Sequence, residues 1–144
     1  MQQRKNIRLK EYDYTQKGYY YITICTKNME YQFGTLVDNK MVLNKKGEKV
    51  KTIIEEYNKI SDDIKNDYYQ IMPNHIHLII EFKENLYKTI SNVVSNFKSK
   101  CTRELKIKNL WQRNFYERVI RNQKEYDNIV KYINENPYGD KYKW

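Results

Sequence analysis

Both histidines of this 144-residue chain fall in one short run, "MPNHIHLII" (residues 72–80), with a single residue between them. On a β-strand, residues two apart point to the same face, so His75 and His77 stand about 6.6 to 7 Å apart along one side. Ile76, Leu78, Ile80 and Phe82 then take the other side and can anchor a core. Imidazole is the commonest side-chain ligand for transition metals, and two on one face can converge on one ion. Two ligands hold an ion weakly, so a third donor must come from elsewhere. An isolated H-x-H also fits histidines that simply alternate on a surface or core strand. A nucleotide hydrolase built on H-x-H-x-H would need a third histidine where Ile79 stands.

A second candidate group lies near the C-terminus, in "QKEYDNIVKYINEN" (residues 123–136). Read as a helix, Tyr126, Ile129, Val130 and Ile133 follow the i, i+3, i+4, i+7 pattern of a buried face. Tyr132 falls about 100 to 120° off that face, with Asn136 one turn further on. A phenol can be a nucleophile in covalent catalysis. Its ordinary pKa is near 10, so it needs an activated electrophile, which a metal on a phosphate oxygen supplies. The chain has 15 tyrosines, and most must be structural.

The elements that would position these groups read as follows. "KGYYYITICTKN" (17–28) is β-branched and aromatic, as strands are. Residues 44–60 read as a helix with Val50, Ile53, Ile54 and Tyr57 inward. A strand pair, 67–72 and 75–82, flanks the turn residues Pro73 and Asn74. Residues 87–105 read as a helix with Ile90, Val93, Val94, Phe97 and Cys101 on one face and Lys98, Lys100 and Arg103 off it. A short strand over 115–121 precedes the 123–136 helix, which stops at Pro137. The order β-α-β-β-α-β-α predicts an α+β fold: an antiparallel sheet with packed helices, on a ferredoxin-like split βαβ plan.

Length fits one domain over residues 1–144. The net charge of +9 attracts polyanions, nucleic acid first among them. Cys25 and Cys101 lack the spacing of a zinc cluster or a disulfide framework. The charged start "MQQRKNIRLK" is not a signal peptide and no apolar run reaches membrane-spanning length, so a cytoplasmic protein with no membrane partner is expected.

Taken in order, four segments resemble one family. They are "IRLKEYDYTQKGYYYITICTKN", "MPNHIHLII", "NFKSKCTREL" and "LWQRNFYERVIRNQKEYDNIVKYINENP", and together they span nearly the whole chain. The sequence resembles the REP-associated tyrosine transposases, a branch of the single-tyrosine HUH (IS200-like) transposases. HUH denotes His, a hydrophobic residue, His, here His75-Ile76-His77.

The resemblance implies a nuclease and strand transferase acting on single-stranded DNA that carries an imperfect palindromic hairpin. It implies a divalent ion, Mg²⁺ or Mn²⁺, on His75 and His77. It implies Tyr132 as nucleophile, with Tyr126 as the fallback, and Asn136 as a third metal ligand. Relatives with this chemistry include monomers and homodimers that exchange the tyrosine helix. In that scheme Lys98, Lys100, Arg103, Arg113, Arg118 and Arg121 would meet phosphates, and Trp111 and Phe115 would stack on bases. Other readings fit the same residues: an inactive relative that binds hairpins without cutting, an RNA-binding module of ferredoxin-like fold, or a relaxase of the wider HUH class.

Overall fold

A computed structural model describes residues 16–60, 62–85 and 89–135, with backbone only at 59 and 60. Its main element is a four-stranded antiparallel sheet in the order β4-β5-β1-β6, formed by β1 (Gly18–Cys25), β4 (Ile64–Ile71), β5 (His75–Phe82) and β6 (Tyr116–Ile120). A separate hairpin, β2 (Gly34–Val37) and β3 (Lys40–Leu43), lies between β1 and α1 (Lys45–Ile60). Helices α2 (Ile90–Leu105) and α3 (Gln123–Glu135) complete the order. Without the hairpin this is the expected split βαβ plan. The sequence reading missed the hairpin. Its turn residues Asp38 and Asn39 both have positive φ, as a two-residue type I′ turn requires, and an Asp-Asn pair is a weaker signal there than Asn-Gly.

β5 is central and reads as a nearly unbroken apolar run because both its faces are covered. On one face Tyr20, Ile22 and Ile24 of β1 and Ile76, Leu78, Ile80 and Phe82 of β5 pack with the inward residues of α1 and α2. These include the expected Val50, Ile53 and Ile54 and all five expected positions of α2. On the other face Tyr21, Ile79 and Ile120 pack with Ile129 and Ile133 of α3, with Tyr126, Val130 and Tyr132 against them. The sheet is thus sandwiched, and α3 alone of the three helices lies on the face toward which His75 and His77 point.

Local chemistry sets the boundaries. Helix α2 starts at Ile90, later than the expected 87, because Thr89 caps it and forms a capping box with Asn92. β4 begins at Ile64, earlier than expected, and carries a bulge between Asn66 and Tyr68 that hides its alternation. Asn122 caps α3 by accepting from the Glu125 backbone N–H at 2.9 Å, while Glu125 accepts from the Arg121 N–H at 2.8 Å. No helix among the described residues is long and apolar enough to cross a membrane.

Helix α3 is held by the apolar wedge of Ile129 and Ile133, by the Tyr126 hydroxyl donating to Asp67 at 2.6 Å, and by the Tyr68 hydroxyl donating to Asn134 at 2.7 Å, among other contacts. Ile133 is fully buried. Ile133→Ala should therefore cost about 2 to 5 kcal/mol, whereas the exposed Lys131→Ala should stay within about 0.5 kcal/mol of the parent. Urea unfolding of the three chains measures both. Equal midpoints would mean that the wedge does not anchor the helix.

Candidate active site

The site begins at the β4–β5 turn. Met72 donates its N–H to the His75 carbonyl at 2.8 Å, closing the hairpin around Pro73 and Asn74. The end of β1 holds this turn from outside: the Thr26 N–H and hydroxyl both donate to the Asn74 carbonyl, at 2.9 and 3.1 Å. The Asn74 side chain is thereby placed with its Oδ1 2.7 Å from Nδ1 of His75. A carbonyl oxygen only accepts, so His75 carries its proton on Nδ1 and presents Nε2 as the lone-pair nitrogen.

Two residues on, His77 stands opposite Thr23 of β1 and Gln70 of β4, and Thr23 in turn stands opposite Tyr116 of β6. Directly opposed residues of an antiparallel pair share a face, so these four form one row across the sheet. Nδ1 of His77 lies 3.1 Å from the Tyr21 hydroxyl and 3.1 Å from the Thr23 hydroxyl. The two imidazoles meet edge to face with ring centroids 4.8 Å apart.

Burial controls the electrostatics. Each histidine is only 1% exposed. Burial lowers the pKa of His75 to about 3. It also holds His77 well below the ordinary value, with the neighbouring His75 adding to the effect. Both rings are neutral at physiological pH, the form that ligates metals. Neutral, paired and tied through Nδ1, they fit a divalent ion as two nitrogen donors. Among the described residues no group of three His, Cys, Asp or Glu side chains could hold an ion. The expected third ligand, Asn136, lies outside the described residues.

The sequence reading turned Tyr132 away from the buried face. In the structure it is half-buried and packs in the cluster that contains Tyr21 and Ile79. A sheet is a broad surface, so a residue about 100° round a helix resting on it still reaches the strands. Tyr21 is the common neighbour. Its ring stacks beside His77 at 6.0 Å, and Tyr132 and Tyr116 lie close enough to contribute to its raised pKa, which burial dominates and the Thr23 hydroxyl partly offsets. Tyr126 is not simply a core residue. It packs edge-on to Tyr19 at 5.7 Å and donates to Asp67, toward the end of the sheet away from the histidines. Burial and the Asp67 carboxylate both raise its pKa.

Residues 14–136 match the family model described as "Transposase IS200 like". The chain belongs to this transposase family. It is 37% identical over 158 residues to an uncharacterized protein of Haemophilus influenzae (strain Rd), a match covering 93% of this chain and 88% of the relative. The solved structure of a REP-associated tyrosine transposase bound to a REP hairpin superposes with a TM-score of 0.66 at 23% identity, over 91% of this chain and 75% of that one. A structure provisionally assigned to a transposase of Deinococcus radiodurans R1 gives 0.54 at 18% identity, over 89% and 95%. At these identities the structural likeness is one of fold.

The residues expected to meet DNA divide into two groups in this transposase. Arg103, Arg113, Arg118 and Arg121 are exposed. Arg103 and Arg113 line an open groove of about 620 Å³ with Ser99 and Thr102, and no acidic side chain borders it. Arg118 and Arg121 lie elsewhere. Arg118 approaches Glu125 at 4.0 Å, and Arg121 borders a cleft of about 630 Å³ with Tyr19, Asp67 and Tyr126. Neither cleft is lined by a histidine.

The other four expected contacts also make interactions within the fold, and of these Lys98 and Trp111 line the same groove as Arg103 and Arg113. The half-buried Lys98 donates to the carbonyls of Gln112 and Arg113, at 2.8 and 3.1 Å. Lys100 pairs with Glu104 at 2.8 Å, which Lys49 of α1 also approaches at 3.4 Å. Trp111 donates to the Lys98 carbonyl at 3.2 Å and packs on Phe33 and Phe97. Phe115 packs against the helix-side core. Tyr21, Thr23 and Asn74 were not among the residues singled out. Asn74 adjoins the motif, whereas Tyr21 and Thr23 reach it only through the pairing of β1 with β5.

The buried neutral histidines make stability depend on pH. The unfolded chain binds protons on them below about pH 6.5, while the folded chain does not. Stability is therefore fully present above that pH and falls as the pH drops below it, by about 1.4 kcal/mol per pH unit for each histidine. Denaturant midpoints at pH 7.5, 6.0 and 5.0 should decline, and His77→Gln should decline less steeply. Parallel profiles for the two chains would contradict the neutral burial of His77.

Proposed function

We propose that this transposase is a metal-dependent single-stranded DNA endonuclease and strand transferase, which works at hairpin-flanked sites through a 5′-phosphotyrosine intermediate on Tyr132. What carries the reading is one sheet face that holds two neutral, convergent imidazoles beneath the helix bearing Tyr132. A bound Mg²⁺ or Mn²⁺ at His75 and His77, with Asn136 as a further ligand, would supply polarisation of the scissile phosphate. Neutral imidazole is a softer donor than oxygen and favours Mn²⁺ of the two.

The Tyr132 oxygen attacks phosphorus and gives up its proton, the phosphorus–O3′ bond breaks, and the 3′ oxygen leaves as a hydroxyl. The phosphodiester is kept as an O–P bond to Tyr132. A 3′-hydroxyl then attacks that bond, joins the strands and restores the phenol, with no external energy source. His75 and His77 stay neutral throughout because their burial opposes protonation. The partner is a DNA hairpin of the kind bound by the REP-associated relative, met in the cytoplasm by a single domain. Arg103, Arg113, Arg118 and Arg121 contact its phosphates, while Lys98, Lys100, Trp111 and Phe115 shape the surface that presents them.

Removing single hydroxyls separates the two tyrosines. Tyr132→Phe should keep hairpin affinity and lose the covalent adduct seen on a denaturing gel with labelled oligonucleotide and Mn²⁺. Tyr126→Phe should keep the adduct and lose about 1 kcal/mol of stability, one hydrogen bond's worth. An adduct that survives in Tyr132→Phe and vanishes in Tyr126→Phe would reverse the assignment. No adduct in the parent, with hairpin binding intact, would favour a binding module that does not cut.

Affinity should also depend on salt. Four phosphate contacts give a slope of log K against log [salt] of about −3 on a single strand. Arg113→Ala should lower its magnitude by about 0.7, and Lys100→Ala should leave it unchanged. The reverse pattern would relocate the DNA surface.

A further inference from the structure

Metal-ligating histidines are oriented by what their second nitrogen touches, and this chain supplies those partners unevenly. For His75 the partner is its sequence neighbour Asn74, at 2.7 Å. For His77 it is a pair of hydroxyls from a different strand, Tyr21 and Thr23, each 3.1 Å from Nδ1. Thr23 is 1% exposed and Tyr21 is 6% exposed, so water cannot readily replace either. The two residues sit two apart on β1, so their side chains share the face of the sheet that carries the ring. The Tyr21 ring lies beside the imidazole, only 24° from parallel, and limits its rotation. A buried threonine and a buried tyrosine converging on one imidazole nitrogen are polar groups in a place where apolar side chains would pack as well. Their positions are set by the β1–β5 register, in which Thr23 is opposite His77 and Tyr21 is opposite Ile79.

We infer that Thr23 and Tyr21 are positioning residues for the metal centre: together they accept the Nδ1–H of His77, fix its tautomer and aim Nε2 at the ion shared with His75. Neither touches the ion or the substrate. The inference rests on the reading of His75 and His77 as metal ligands. It adds that a β1 hydroxyl pair, absent from the H-x-H motif, is required for metal affinity. Tyr132 packs against the same cluster that contains Tyr21.

The test uses the whole chain without DNA. Mn²⁺ affinity is read from the electron paramagnetic resonance signal of the free ion. The tautomer of the metal-free chain is read from long-range ¹H–¹⁵N imidazole spectra, which are simple because there are only two histidines. The chains are the parent, Thr23→Val, Thr23→Ser, Tyr21→Phe, the Thr23→Val/Tyr21→Phe double variant, and His77→Ala. In the parent, His77 should carry its proton on Nδ1. The double variant should shift toward the Nε2–H form that free histidine favours and lose about 10- to 100-fold in Mn²⁺ affinity. Thr23→Ser, which keeps the hydroxyl, should restore the affinity that Thr23→Val loses, an effect that packing alone would not give.

If His77→Ala loses affinity while the double variant keeps parental affinity and tautomer, the hydroxyl pair has no such role and the metal reading stands. If His77→Ala binds Mn²⁺ as the parent does, the metal reading fails and takes this inference with it. Should the double variant not fold, the parental spectrum decides: a His77 proton on Nε2 overturns the inference.

Discussion

The antiparallel register between β1 and β5 is the constraint on which the rest of this molecule depends. It pairs Thr23 with His77 and Cys25 with His75, and sends Ile22, Ile24, Ile76 and Leu78 to the opposite face. Because the side-chain period of a strand is two, a slip of one residue would move both histidines into the α1–α2 core and bring isoleucines to the site. The buried apolar set prevents that slip. The hydrophobic packing that stabilises the fold therefore also positions the histidine pair.

Covering both faces of the sheet gives the site its chemical character. α1 and α2 close one face over a continuous core, and α3 closes the other with a thinner layer of Ile129, Ile133 and several tyrosines. On that same face the two imidazoles are buried and neutral. The helix on that face also carries Tyr132. The site and its cover are one construction, joined by apolar packing and by two tyrosine hydrogen bonds between α3 and β4.

The positive charge proves more divided than its sum suggests. A net +9 describes attraction to polyanions, but the ammonium of Lys98 holds a loop by two carbonyls and that of Lys100 is paired on its own helix. The exposed arginines remain, and two of them border a groove free of acidic side chains. Arginine keeps its charge and offers a planar fork to phosphate, which suits it to that place.

Much of this was legible in the sequence because it is local. The period-two pattern of "HIHLII" placed His75 and His77 on one face. The period-3.6 pattern of α2 named all five of its buried residues, since a helix buries one stripe whatever it packs against. Charge and motif order pointed to the family. What depended on distant strands was not legible. The Asp38-Asn39 hairpin and the bulge in β4 are local but carry weak signals, whereas the inward turn of Tyr132 and the internal ties of Lys98 and Trp111 arise from packing between separate elements. The same holds for Tyr21 and Thr23. Their sequence distance from His77 exceeds fifty residues, and only strand pairing brings their hydroxyls to its ring. The sequence by itself determined which side chains share a face of one element, because backbone geometry dictates that locally. The tertiary structure decided which faces meet, because that follows from burying all the apolar stripes at once.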